Sequence, residues 1–171
     1  MHGPAGGVLR LNGMAMDNLR LVRIESDGRP GAAGLVLSEM AAAVCQDTAN
    51  LYAAAGFEPP WIGYLAVIDD AIVGTCAFNT TTFVDPADNG VTEIAYFTFP
   101  DFEGQGIATE MGRRLVELAR SAVPSISVVA QTEPEANAST RVLEKLGFDF
   151  IGPVAHDELG TVWEWRLAAE S

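Results

Sequence analysis

Two short segments and one strand carboxylate hold residue types whose spacing could do chemistry. The first segment reads FEGQGIATEM over residues 102–111. Gly104 and Gly106 stand just before an amphipathic stretch. A glycine-bearing turn at a helix start lets consecutive backbone N–H groups converge on an anion, aided by the helix dipole. The segment is not a P-loop, because the Gly-Lys-Ser/Thr ending is absent. It is also a poor dinucleotide fingerprint: no third small residue follows at the right spacing, and no βαβ repeat surrounds it. An ordinary strand-to-helix turn with glycine at the bend accounts for the residues equally well.

The second segment, NASTRVLEKLGF (137–148), sets Asn, Ser, Lys and Gly-Phe at fixed offsets. Asn137 suits a helix N-cap, Val142, Leu143 and Leu146 suit a core face, and Gly147 suits a left-handed C-cap. That reading leaves Ser139 unexplained. The carboxylate is Glu93, in the otherwise apolar run VTEIAYFTF (91–99). A carboxyl group in such surroundings is a candidate general base. Its alternative is a place at the wet end of the strand beside Thr92.

These residues need elements to position them. Alternation over 19–24 predicts a first strand, and an alanine-rich stretch predicts a helix over 35–55, with Leu37, Met40, Val44, Leu51 and Tyr52 near helical spacing before Gly56. GYLAVI and AIVGTCAF flank Asp69-Asp70, the signature of two strands joined by a tight turn. A second turn is expected at Asp85–Gly90, and a central strand over 91–99, apolar on both faces. A helix over 106–120 carries Ile107, Met111, Leu115 and Leu118 on one face. A buried strand follows over 125–132, then a short helix over 137–146. Strands near 148–154 and 161–167 flank His156-Asp157-Glu158. The order is β-α-β-β-β-α-β-α-β-β, a mixed α/β (α+β) domain with a mostly antiparallel sheet. Residues 1–16 read as a flexible leader and 17–171 as one domain.

In this order and spacing the two segments resemble the GNAT superfamily of acetyl-CoA-dependent N-acetyltransferases, and within it the branch of ribosomal-protein N-terminal acetyltransferases. The resemblance covers roughly residues 60–167 and implies a central sheet of six to seven strands flanked by about four helices. The family's turn signature is Arg or Gln, two variable positions, Gly, one variable position, then Gly or Ala. Here it falls on Glu103-Gly104-Gln105-Gly106-Ile107-Ala108, with Glu103 where Arg or Gln is usual.

The resemblance implies that backbone amides of Gly104, Gln105, Gly106, Ile107, Ala108 and Thr109 hold the CoA pyrophosphate. It also implies that backbone of Phe97 and Thr98 pairs with pantetheine, between splayed strands 91–99 and 125–132. Asn137 would contact the pantetheine arm or cap the helix beside it. Glu93 matches a strand glutamate that acts as base, and Ser139 a serine that protonates the leaving thiolate. The N–H of Thr98 or a neighbour is a candidate oxyanion donor. The implied activity is acetyl transfer from acetyl-CoA, as cosubstrate, to a primary amine, either a protein N-terminus or a small amine. A CoA-binding regulatory domain of the same fold is the alternative.

The chain has 171 residues, 49% of them hydrophobic, enough to build a real core and to exclude a disordered chain. Twenty-three acidic residues against ten basic ones give a net charge of −13, which argues against nucleic acid or an anionic membrane as partner. Residues 30–112 contain eleven acidic residues and no Lys or Arg, whereas five of the ten basic residues fall between 113 and 145. In the family that the chain resembles, the segments carrying this acidity border the acceptor, so the resemblance implies a cationic acceptor.

Cys45 and Cys76 read as small buried hydrophobes in a reducing compartment, and cytoplasmic localisation is expected. His2 and His156 have no partners at metal-ligand spacing, so no metal is expected. Trp163 and Trp165 alternate on the last strand as core or homodimer-contact residues. Trp61 and Tyr64 are candidates for lining an acceptor cleft.

Overall fold

The computed structural model describes residues 15–79, 83–84 and 89–169. Its elements are β1 (Arg20–Arg23), α1 (Glu39–Ala55), β2 (Gly63–Ile68), β3 (Ala71–Phe78), β4 (Phe83–Val84), β5 (Asn89–Thr98), α2 (Ile107–Ala122), β6 (Ser125–Thr132), α3 (Ala138–Lys145), β7 (Asp149–His156) and β8 (Gly160–Leu167). Two 3-10 turns lie at Ala15–Asn18 and Pro100–Phe102. The strands form a sheet in the order β1-β2-β3-β5-β6-β8-β7, with β4 paired to β5. β1 with β2, β4 with β5, β6 with β8, and β7 with β8 are antiparallel, while β5 and β6 run parallel. This is the mixed α/β, mostly antiparallel architecture expected from the pattern. The described residues hold three α-helices against the expected four or so.

Several boundaries differ for identifiable reasons. α1 begins at Glu39 rather than 35 because the Ser38 hydroxyl accepts the Ala41 N–H at 3.1 Å and so caps the helix there. β4 carries no alternation over its two residues and escapes a pattern search. Of the turn expected at Asp85–Gly90, residues 85–88 lie outside the described residues, and Asn89 and Gly90 already belong to β5. Residues 1–14 of the expected leader also lie outside them, whereas Ala15 and Met16 open the first 3-10 turn.

The chain divides into two compact units. Among the described residues, the first comprises 15–57, 63–76 and 96–111. Its core joins Val22, Ile24, Cys45, Leu65 and Val67, with Leu35, Leu37, Val44, Tyr52 and Ile72 packed against them. The Tyr52 hydroxyl ties α1 to this core, donating to Ile24 O at 2.9 Å and accepting from Gly63 N at 2.9 Å. β2 and β3 are joined through Asp69 and Asp70, both left-handed with φ of 46° and 65°. Two consecutive left-handed residues are the two-residue hairpin turn that matches strand twist.

Among the described residues, the second unit comprises 58–62, 77–79, 83–84, 89–95 and 112–169. Ile126, Val128, Ala130, Leu143, Phe148, Val162 and Trp165 are buried there. The Trp165 indole N–H donates to Thr132 Oγ1 at 3.1 Å, which makes Trp165 a satisfied core residue. Phe150 meets Trp163 edge-on, with ring centroids 5.0 Å apart.

Candidate active site

The strand–turn–helix of residues 96–111 lies within the first unit. At the end of β5, Phe97 is exposed and the Phe99 N–H donates to Val73 O at 2.9 Å, binding this end to β3. The Thr98 Oγ1 is buried and has no hydrogen-bond partner. Pro100 then starts the short 3-10 turn, and Phe102 N–H returns to Phe99 O at 2.9 Å. Gly104 and Gly106 follow with φ of 76° and 81°, the left-handed region where glycine is at ease. Apart from their immediate chain neighbours, no heavy atom lies within 4 Å of where a Cβ would stand on either of them.

Ile107, buried among apolar neighbours, anchors the start of α2. The helical ladder opens with Glu110 N–H donating to Gly106 O at 3.1 Å. The amides of Ile107, Ala108 and Thr109 therefore precede the ladder and lie outside the helix's own hydrogen bonds. Gln105 is half-buried and Glu103 is exposed. The predicted residues Phe97, Thr98 and Gly104–Thr109 are thus gathered on one short stretch, whose open side offers backbone N–H groups suited to an anion.

Gly74 is a residue that a search for motifs passes over. A Cβ there would stand 2.6 Å from the Phe97 carbonyl oxygen and 3.2 Å from Met111 Cε. The available signal was a lone glycine inside an apolar strand, which often marks a close backbone approach.

Glu93, Asn137 and Ser139 belong to the second unit. Glu93 is half-buried on β5, next to the fully buried Thr92. The Glu93 carbonyl accepts from Asn79 N–H at 2.7 Å, and its carboxylate accepts from the Asn79 side-chain amide. Asn79 orients this carboxylate, and nothing in its sequence position announced that role. The register of β5 with β6 closes at Ile94 opposite Ala130, although β6 continues to Thr132.

Asn137 caps α3. Its side-chain carbonyl accepts from Thr140 N–H at 3.0 Å, while Thr140 Oγ1 accepts the Asn137 N–H at 3.0 Å. Of the two roles open to Asn137, capping is the one the structure displays. Ser139 is half-buried in the first turn of α3.

Other singled-out residues have structural places. Tyr64 is buried, which removes it from any cleft wall and pushes its hydroxyl up to about 12. Trp61 packs edge-on against Phe78 at 5.1 Å. His156 Nδ1 accepts the N–H groups of Glu158 and Leu159, both at 3.1 Å, and so shapes the β7–β8 turn. Cys45 and Cys76 are buried, and burial raises both thiols above their usual value. Among the described residues, no group of three or more His, Cys, Asp or Glu could hold a metal, and no helix is long and apolar enough to cross a membrane. A recess of about 390 Å³ in the second unit, lined by Arg113, Glu117, Arg120 and Leu146 among others, contains none of the expected site residues.

Comparison with known proteins adds a family. A model described as the acetyltransferase (GNAT) domain matches residues 33–149, more than half of the chain. An uncharacterized N-acetyltransferase, p20, of Bacillus licheniformis is 32% identical over 83 residues, covering 48% of this chain and 44% of that protein. The chain thus matches less than half the length of this curated relative. Among solved structures, YncA of Salmonella typhimurium with its cofactor acetyl-CoA is 18% identical, with a TM-score of 0.55, covering 80% of this chain and 76% of that one. An acetyl transferase of Salmonella typhimurium that modifies the N-terminal serine of a 50S ribosomal subunit protein is 19% identical, with a TM-score of 0.57, covering 79% and 77%. At these identities the structural likeness speaks for the fold.

Proposed function

The chain belongs to the acetyltransferase (GNAT) domain family, and we propose that it transfers an acetyl group from acetyl-CoA directly to a primary amine. Residues 17–171 act as one acetyltransferase domain, a reading supported by a family match whose span includes segments of both compact units. One observation carries the reading: the start of α2, where two left-handed glycines with open space around them precede three amides outside the helical ladder. The amides of Gly104 to Thr109 hold the diphosphate of acetyl-CoA, and the backbone of Phe97 and Thr98 pairs with its pantetheine arm.

This chain's residues fit such a ligand. The open side at Gly104 and Gly106 admits close approach, and the buried Thr98 hydroxyl is a polar group still lacking a partner. Binding by N–H groups needs no positive side chains, so a polyphosphate suits even a chain of net charge −13. Glu103, exposed, has solvent for its carboxylate.

The cosubstrate supplies an acetyl group activated as a thioester. Glu93, oriented by Asn79, takes a proton from the acceptor's ammonium group. The freed nitrogen bonds to the carbonyl carbon, and the carbon–sulfur bond breaks. Ser139 gives its hydroxyl proton to the departing thiolate and regains one from the second proton that the new amide nitrogen sheds, while the N–H of Thr98 or a neighbour steadies the carbonyl oxygen. Asn137 holds the first turn that carries Ser139. Buried thiols with raised pKa values make poor nucleophiles, which favours direct transfer over an acyl-cysteine route.

The acceptor is cationic, a protein N-terminus or a small amine. Support comes from the eleven acidic and no basic residues of 30–112, and from the ribosomal-protein substrate of the Salmonella neighbour. An amine panel incubated with acetyl-CoA and read by CoA thiol release tests the reading. Amine-dependent release is expected. Tight acetyl-CoA binding without release for any amine would leave a binding domain instead. With an acceptor in hand, Glu93→Gln lowers kcat roughly 100-fold while acetyl-CoA affinity stays within about twofold. For the wild type, kcat/KM for a cationic acceptor falls as salt rises. A salt-insensitive preference for neutral amines removes the steering argument.

A further inference from the structure

We propose that Gly74 is a positioning residue for the acetyl-CoA site: its missing side chain lets the end of β5 and the first turn of α2 seat together on β3. The inference rests on the reading above, in which Phe97, Thr98 and the amides of 104–109 hold the cosubstrate. Gly74 lies in mid-strand and is not among the glycines of positive φ, so its conformation does not demand glycine. Space does. A Cβ would stand 2.6 Å from Phe97 O, 3.2 Å from Met111 Cε and 3.3 Å from Met111 Sδ.

The two neighbours differ in what they can do. Met111 is fully buried one turn into α2, and displacing it pushes on the helix whose first amides face the ligand. The Phe97 oxygen is main chain and cannot rotate away alone. Two residues on, Phe99 N–H is bonded to Val73 O at 2.9 Å, which pins this end of β5 beside Gly74. One added methyl group therefore moves the peptide between Phe97 and Thr98 and presses the start of α2 outward. Gly112 supplies a contrast. A Cβ there also meets an atom at 2.6 Å, but that atom is Leu146 Cδ1, the end of a flexible side chain.

The test begins with acetyl-CoA titrated into the wild type by calorimetry. Absence of binding defeats the function reading itself. Given binding, Gly74→Ala is expected to raise the acetyl-CoA Kd by about tenfold or more at a temperature where the variant is fully folded. Its KM for the amine should stay within about twofold, a split that a merely destabilised protein does not give. Gly112→Ala is expected to keep its Kd within about twofold. A folded Gly74→Ala variant with wild-type Kd overturns the inference. Should that variant fail to fold, amide shifts of the wild type decide: acetyl-CoA must perturb Val73, Gly74 and Thr75 together with Phe97 and Thr98. Perturbation of Phe97 and Thr98 alone overturns it as well.

Discussion

α2 and α3 begin in opposite ways. At the start of α3, Asn137 and Thr140 exchange hydrogen bonds between side chain and backbone, each at 3.0 Å, so the chain consumes its own orphan donors. α1 is capped in the same spirit by Ser38. At the start of α2 the corresponding place belongs to Gly106, which has no side chain to offer. A start sealed by Asn or Ser is finished at folding, whereas a start built on left-handed glycines keeps its N–H groups for something outside. The difference separates a helix end that closes on its own side chains from one whose N–H groups are assigned, in the proposed function, to a ligand.

Three measurements bear on that contrast. Gly106→Val has the largest expected effect. A β-branched residue at φ 81° is strained and covers the open side, so acetyl-CoA affinity should fall on the order of 100-fold by calorimetry. Affinity within a few-fold of wild type would erase the distinction between the two helix starts. Asn137→Ala acts on the other side of the contrast. It should lower unfolding free energy by about 1 kcal/mol in urea titrations, with acetyl-CoA Kd little changed. A large loss of affinity there would show that the sealed start also binds.

The smallest effect is a control in alkali. Burial holds Cys76 protonated in the fold, while the unfolded thiol ionises near 9.0. The folded value is the raised one, so this contribution is complete below pH 9 and declines as pH climbs above it. Melting temperature should drop from pH 9 to 10.5 with similar slope in the wild type, Gly106→Val and Asn137→Ala. Cys76→Ala should flatten that slope.

Periodicity located the strands and helices because burial imposes it. The runs 63–68, 71–78 and 125–132 coincide with β2, β3 and β6, and Gly147 ends α3 with a φ of 87°. The glycine turn was legible since left-handed backbone leaves a residue-type signature. β4 was not, because two residues carry no period, and the 3-10 turn at Ala15–Asn18 is equally brief. The hold of Asn79 on Glu93 was invisible, since fourteen residues separate them and only pairing between strands unites them. Gly74 was visible as a letter but not as a function. Its importance comes from Phe97 and Met111, neither of which is near it in sequence.

The hairpin between β2 and β3 puts the acidity in a different light. Asp69 and Asp70 both occupy left-handed backbone, where asparagine-glycine is the least strained choice. One of the two carboxylates is answered by Arg20, at 3.4 Å and in solvent, an exposed pair of small worth. Shape alone would have been served better by uncharged residues. The chain thus carries two negative charges on its most contorted pair of residues, and the backbone works against keeping them there. The turn thus sets two exposed carboxylates side by side, adding to the negative field of residues 30–112 on a backbone that asparagine-glycine would occupy with less strain.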